Sequence, residues 1–162
     1  DGQVELEGSF EAMSATWRGI AFHYRGNVCF QLSGPYASDD EPTIFTNAQE
    51  PAQWLYRPDC MTQVQWLRGG TSSGTGPADD PSAGRGIILR GVDASAVSAR
   101  IVFPDGEVAP AGLFRVPADF GLDIAFLAAV VVGSRLDGGQ VVEALDADGN
   151  VLLSIEVAYP SN

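Results

Sequence analysis

The sequence predicts an all-β fold, an antiparallel β-sandwich in a single domain spanning residues 1–162. Three observations lead there. Short apolar runs recur between turn signals such as Pro104-Asp105-Gly106 and Asp146-Ala147-Asp148-Gly149-Asn150, the rhythm of strands joined by hairpins. No helical period is sustained, and no internal repeat aligns. Hydrophobic residues make up 45% of the chain, with eight Phe, four Tyr and three Trp. That is enough for a real core and unlike the composition of a disordered protein.

In chain order, Val4 and Leu6 alternate with Gln3, Glu5 and Glu7, which reads as an edge strand over residues 3–10. Residues 16–24 form the next strand, with Trp17, Ile20, Phe22 and Tyr24 on its apolar faces and Gly19 marking a bulge. Arg25-Gly26-Asn27 turns the chain back. Val28, Phe30 and Leu32 then point one way, Cys29 and Gln31 the other. Residues 33–53 contain Pro35, Pro42, Pro51 and Asp39-Asp40-Glu41 and form a long irregular connection. Asn47 caps a helical turn over 47–54. Residues 54–57 and 62–67 read as strands flanking Pro58-Asp59-Cys60. Residues 69–86 are Gly-, Ser-, Thr- and Pro-rich, cannot bury enough surface to offset their ordering entropy, and form the second long loop.

The second half is more regular. Residues 86–91 are a strand, 93–97 a helical turn and 98–103 a strand; Asp105-Gly106 then supplies a hairpin turn. Residues 107–116 return, and 122–132 hold the most apolar run, IAFLAAVVV. Its nine residues fall short of the roughly 20 that cross a bilayer, so it is a core strand. Gly138-Gly139 turns into 140–145, which pairs through 146–150 with 151–157. The architecture expected is an immunoglobulin-like or related sandwich. Its sheets face each other over Ile20, Phe22, Phe30, Ile88, Ile101, Phe103, Phe114, Ile124, Phe126, Val130, Val142, Leu145, Leu152 and Ile155.

Charge excludes some partners. Asp and Glu number 21 against nine bases, all arginine, for a net charge of −12. Such a field repels phosphate backbones and anionic bilayers, so neither nucleic acid nor direct membrane insertion is expected. The two cysteines, Cys29 and Cys60, permit one pairing, bonded in an oxidising compartment and reduced in the cytosol, and a Cys29–Cys60 disulfide is expected. They form neither a CxxC nor a zinc pattern, and His23 is the one histidine. No metal or other cofactor is expected.

The remaining candidates divide by chemistry. Residues 146–150 resemble a calcium loop in composition, but placing Gly149 at the sixth position puts Ala144 at the first, where an acid is required, so they read as a hairpin turn. His23 would be the base of any Ser/His/Asp device, but alternation leaves it without visible partners. Asp39, Asp40, Glu41, Asp79 and Asp80 are loop acids that read as solvated faces, or as paired carboxylates acting on a glycan. Tyr36, Phe45, Trp54, Tyr56 and Trp66 gather around the first long loop. Of these, Tyr36, Trp54, Tyr56 and Trp66 are the candidate binding residues.

Trp17-Arg18, the run Val28-Cys29-Phe30-Gln31-Leu32, the second cysteine, the stretch 97–106 (VSARIVFPDG) and 141–152 (VVEALDADGNVL) together resemble uncharacterised exported or membrane-anchored proteins of actinobacteria. Those have extracellular β-sandwich domains. The second cysteine of such proteins often sits between glycines, whereas here it is Asp59-Cys60-Met61. The resemblance implies a location and a fold class and brings no catalytic residues.

The function expected is a non-enzymatic extracellular binding or interaction domain of a bacterial secreted or cell-surface protein. A leader or membrane anchor is expected to have been removed. Loops 33–53 and 69–86 would contact a protein or glycan. The alternatives are a hydrolase of extracellular or cell-wall polysaccharide using the loop carboxylates, and a structural spacer.

Overall fold

The computed structural model describes residues 3–12, 15–34, 54–55, 58–75, 85–132 and 139–157, with the backbone alone for residues 54–55, 72–75, 85 and 132. The strands are β1 (Val4–Glu5), β2 (Phe10–Ala12), β3 (Ala15–Tyr24), β4 (Asn27–Gly34), β5 (Trp54–Leu55), β6 (Asp59–Met61), β7 (Thr71–Thr75), β8 (Arg85–Asp93), β9 (Ser98–Val102), β10 (Val108–Arg115), β11 (Ile124–Val132), β12 (Val141–Leu145) and β13 (Val151–Glu156). One short helix, α1 (Gln63–Arg68), lies between β6 and β7. The fold is all-β and every strand pair is antiparallel.

The strands form two sheets. The first runs β1-β3-β4-β5, with β2 also on β3 and β6 also on β4; the second runs β13-β12-β9-β10-β11-β8-β7. Strand β10 explains the shape of the second sheet. Its residues 108–111 pair with β9 and its residues 112–115 pair with β11. The ladder changes partner midway, and the sheet curls there into a half-barrel. Pro110 sits in the β9-paired half, where no described strand pairs with the other side and a missing N–H is tolerated.

This curl gives the protein two hydrophobic clusters with β11 between them. Ile124, Phe126, Ala128 and Val130 face the first sheet, while Ala125, Leu127, Ala129 and Val131 face the interior of the half-barrel. A strand buried on both faces reads as a continuous apolar run, which is why IAFLAAVVV shows no alternation. Each large side chain buried this way contributes about 1.5–3 kcal/mol.

Between the sheets the core is aromatic. The Phe30 and Phe126 ring centroids are 4.7 Å apart, Trp66 meets Phe126 edge-on at 5.1 Å, and Phe10 bridges Trp17 and Phe114. Glycines make room for these rings. A Cβ on Gly34 would enter the Trp17 ring, one on Gly112 the Phe10 ring, one on Gly19 would crowd Phe114 and one on Gly91 would crowd Trp66. Gly19 therefore marks close packing: it keeps its partner Leu32 in an unbroken β3–β4 register, so no bulge is present there.

Several expectations change. Ile20 and Phe22 are half-buried on the outer face of β3, because Trp17, Gly19 and Ala21 take the core side. Leu152 is exposed, and Ile88, Phe103 and Ile155 are half-buried against the second cluster. The other expected core residues are buried. Residues 62–67 are not a strand: Thr62 accepts from the Gln65 N–H while the Gln65 side chain accepts from the Thr62 N–H, a capping box that starts α1. Residues 69–86 are not wholly a loop, since they contain β7 and the start of β8. Residues 93–97 make a single hydrogen-bonded turn, with Asp93 Oδ1 accepting from the Ser95 N–H and hydroxyl. The expected helical turn over 47–54 lies, except for Trp54, outside the described residues.

Candidate functional site

Of the expected aromatic platform, the side chain of Trp66 alone lies among the described residues. Trp66 is fully buried; its indole N–H donates to the Val28 carbonyl at 2.8 Å, and its ring packs on Phe30 and Phe126. It locks α1 onto both sheets and is a core residue, not a contact residue. The capping box orients it inward, leaving Val64 and Leu67 outside. The Trp54 backbone pairs with Gly34. Tyr36 and Tyr56 lie outside the described residues, as do Phe45 and the loop acids Asp39, Asp40, Glu41, Asp79 and Asp80.

Cys29 and Cys60 are joined by a disulfide. They stand directly opposite in the β4–β6 ladder, with Val28 opposite Met61 and Phe30 opposite Asp59. Alternation places Cys29 on the outer face of the first sheet beside Phe22, and it is completely buried there. The bond ties the short edge strand β6, and the helix that follows it, to the middle of the sheet. Such a bond persists in an oxidising environment.

His23 is exposed. Its ring stacks on Phe120 with centroids 4.2 Å apart, and Nε2 lies 3.1 Å from the Phe120 carbonyl, which takes the N–H of that nitrogen. This contact holds the 3-10 turn Ala118–Phe120 against the end of β3. Among the described residues no hydroxyl or carboxylate hydrogen-bonds to the imidazole. No group of three or more His, Cys, Asp or Glu among them is placed to hold a metal ion, and no described helix is long and apolar enough to cross a membrane.

Residues 146–150 form the hairpin turn that their sequence suggests. The Asp146 carboxylate accepts from the N–H groups of Asp148 and Asn150, each at 2.9 Å, and from the Asn150 side-chain amide. The Asn150 N–H bond, with the other turn bonds, holds this carboxyl below its ordinary pKa. The turn at 103–107 repeats the arrangement: the first residue donates its N–H to the fifth carbonyl, and an Asp-Gly pair fills the third and fourth places with the glycine at φ 88°.

A bulge in the second sheet brings apolar residues to the surface. The β12–β13 register runs Ala144 opposite Leu153 and then Leu145 opposite Val151, which leaves Leu152 as an extra, bulged residue. Bulges re-aim side chains. Here Val151 and Leu152 emerge 47% and 39% exposed; on the other side of β12, the Val97 N–H donates to the Leu145 carbonyl at 2.8 Å. The 146–150 turn that precedes them supplies Asp146 and Asp148. The signal in the sequence is the run Val151-Leu152-Leu153, which breaks alternation at the start of a strand. No family model, curated protein or solved structure matches the chain.

Proposed function

We propose that this chain is a non-enzymatic interaction domain of an exported bacterial protein, working outside the cell on an immunoglobulin-like or related β-sandwich. The observation that carries the reading is the Cys29–Cys60 disulfide, completely buried at Cys29 in the middle of the first sheet. A buried bridge of this kind belongs to an oxidising compartment. The likeness of its strand and cysteine segments to exported actinobacterial proteins favours the same location. The partner class is a protein or a glycan at the cell surface. Contacts on β-sheet scaffolds concentrate in the loops and turns that join the strands.

The test has two parts. Thiol-reactive labelling of the protein in intact source cells, without and with prior reduction, is expected to label Cys29 and Cys60 only after reduction, with the protein outside the cytoplasm. Thiols that label without reduction, in cytoplasmic protein, overturn the reading. Incubating the chain with cell-wall polysaccharides is expected to release no new reducing ends, whereas steady release would replace the interaction domain with a hydrolase.

A further inference from the structure

The hairpin of β3 and β4 differs from the rest of the chain in charge. No acidic residue occurs from Ala12 to Gly34, a stretch that carries Arg18, His23 and Arg25 in a chain with 21 acids. Other elements bring two acids toward it. Glu5 lies 3.6 Å from Arg18, and Asp119 precedes Phe120, the ring on which His23 stacks. Among the described residues Arg25 makes no ion pair. Exposed charges more than about 8 Å apart are largely screened at physiological ionic strength. The field at the hairpin tip is therefore set by the groups found there and not by the net charge of −12.

The tip is exposed at His23, Tyr24, Arg25 and Gly26, and a Cβ on Gly26 would meet no described atom within 4 Å. Alternation along β3 puts His23 and Tyr24 on opposite faces. His23 is committed on its own side to Phe120, and that stack holds the tip in place. Tyr24 is left on the other side, 51% exposed, with half-buried Phe22 two residues earlier on the same face. The Arg25 guanidinium lies over the Tyr24 ring, 5.3 Å from its centroid. A guanidinium placed over a ring keeps its in-plane N–H fork free for a carboxylate. The backbone adds a second observation. Arg25 at φ 52° and Gly26 at φ 82° are the two positive angles of a hairpin turn, a pair that Asn-Gly supplies without strain. An arginine there costs stability that the turn does not require, which fits a residue held for a contact.

We infer that Tyr24 and Arg25 anchor an acidic segment of a partner protein, with an Asp or Glu carboxylate on the Arg25 guanidinium and a neighbouring apolar side chain on the Tyr24 ring. This rests on the reading of the chain as an interaction domain and names the surface and the partner's chemistry. Tyrosine and arginine are among the residues that most often carry interface energy. The guanidinium supplies charge complementarity to the carboxylate, and the exposed ring supplies apolar area beside it. An acidic glycan fits less well, because a sugar stacks on an open aromatic face and Arg25 covers one face of Tyr24.

The experiment pans a random twelve-residue peptide library on the full disulfide-bonded chain and measures the enriched peptides against variants by isothermal titration calorimetry. The expected result is a motif with Asp or Glu beside an apolar residue. Its binding weakens about tenfold in Tyr24→Ser and in Arg25→Asn, as for loss of an anchor. Arg25→Lys, which keeps the charge and loses the planar fork, binds between Arg25→Asn and the parent. Raising salt weakens binding, and Val108→Ser, exposed in the other sheet, leaves it unchanged. Asparagine suits this turn, so Arg25→Asn separates a lost contact from a lost fold, and circular dichroism on each variant checks the latter. Enriched peptides that lack an acid, or that bind Arg25→Asn as tightly as the parent, overturn the inference. Polygalacturonate binding that Arg25→Asn abolishes, with no acidic peptide enriched, overturns the protein partner in favour of a glycan. Self-association that Arg25→Asn abolishes overturns it in favour of a second copy. Absence of any enriched peptide overturns this inference alone, since the thiol-labelling and reducing-end assays decide the interaction-domain reading separately.

Discussion

Removing the disulfide by Cys29→Ala/Cys60→Ala is the perturbation whose size follows most directly from the structure. The two cysteines are 31 residues apart in sequence. Closing a loop of that length removes enough unfolded-state entropy to stabilise the native protein by about 3.7 kcal/mol at 25 °C on the chain-entropy estimate. The folded state surrenders little. The β4–β6 ladder still pairs Val28 with Met61 and Phe30 with Asp59, and Trp66 still anchors the following helix through Val28. The loss therefore acts through the unfolded chain, and unfolding stays a single transition. For a chain of 162 residues, each kcal/mol moves the melting temperature by about 2–4 °C, so the fall expected is roughly 7–15 °C. Differential scanning calorimetry of the oxidised, reduced and doubly substituted protein measures it. A fall below about 3 °C would show that the loop ends are already held together without the bridge, against the estimate. A separate low-temperature transition would show that the bond serves only the excursion between β4 and β6.

Three further outcomes are expected. Arg25 occupies the left-handed region at φ 52° in the β3–β4 turn, beside Gly26 at φ 82°; Arg25→Asn relieves a cost of about 1–2 kcal/mol, partly offset by the lost guanidinium–Tyr24 contact of about 0.5 kcal/mol, and raises the urea midpoint at constant slope. Gly34→Ala drives a methyl into the Trp17 ring and is expected to destabilise by about 1–3 kcal/mol, read in the same titration with tryptophan emission as a second probe. The Asp146 carboxyl has its folded pKa lowered, so its contribution is fully present above the unfolded carboxylate range and is lost as pH falls through the folded value. Asp146→Asn accordingly narrows the stability difference between pH 5 and pH 2, about either side of that range, and an unchanged difference would remove the turn from the account.

How much of this was legible depends on how local each determinant is. The two Asp-Gly turns were readable because positive φ and the side-chain bonds that support it are settled within five residues. The strand β11 was readable because burial on both faces leaves a run with no polar interruption. The facing of β3 was not: both of its faces are apolar, and Trp17 wins the core only because Gly34, distant in sequence, leaves space for its ring. Trp66 was misplaced because its capping box went unrecognised and its partners, Val28 and Phe126, lie in two different sheets.

The same division runs through the two sheets. The sequence by itself determined the all-β character, the acidic surface and the one pairing open to two cysteines, because composition, turn chemistry and apolar spacing are local quantities. Only the tertiary structure decided that β10 changes partners midway and curls the second sheet, and that a bulge turns Val151 and Leu152 outward. The physical reason is that register and curl are properties of pairs of strands. A single strand's alternation leaves open which neighbour it meets, and one extra residue in a ladder changes which side chains reach solvent.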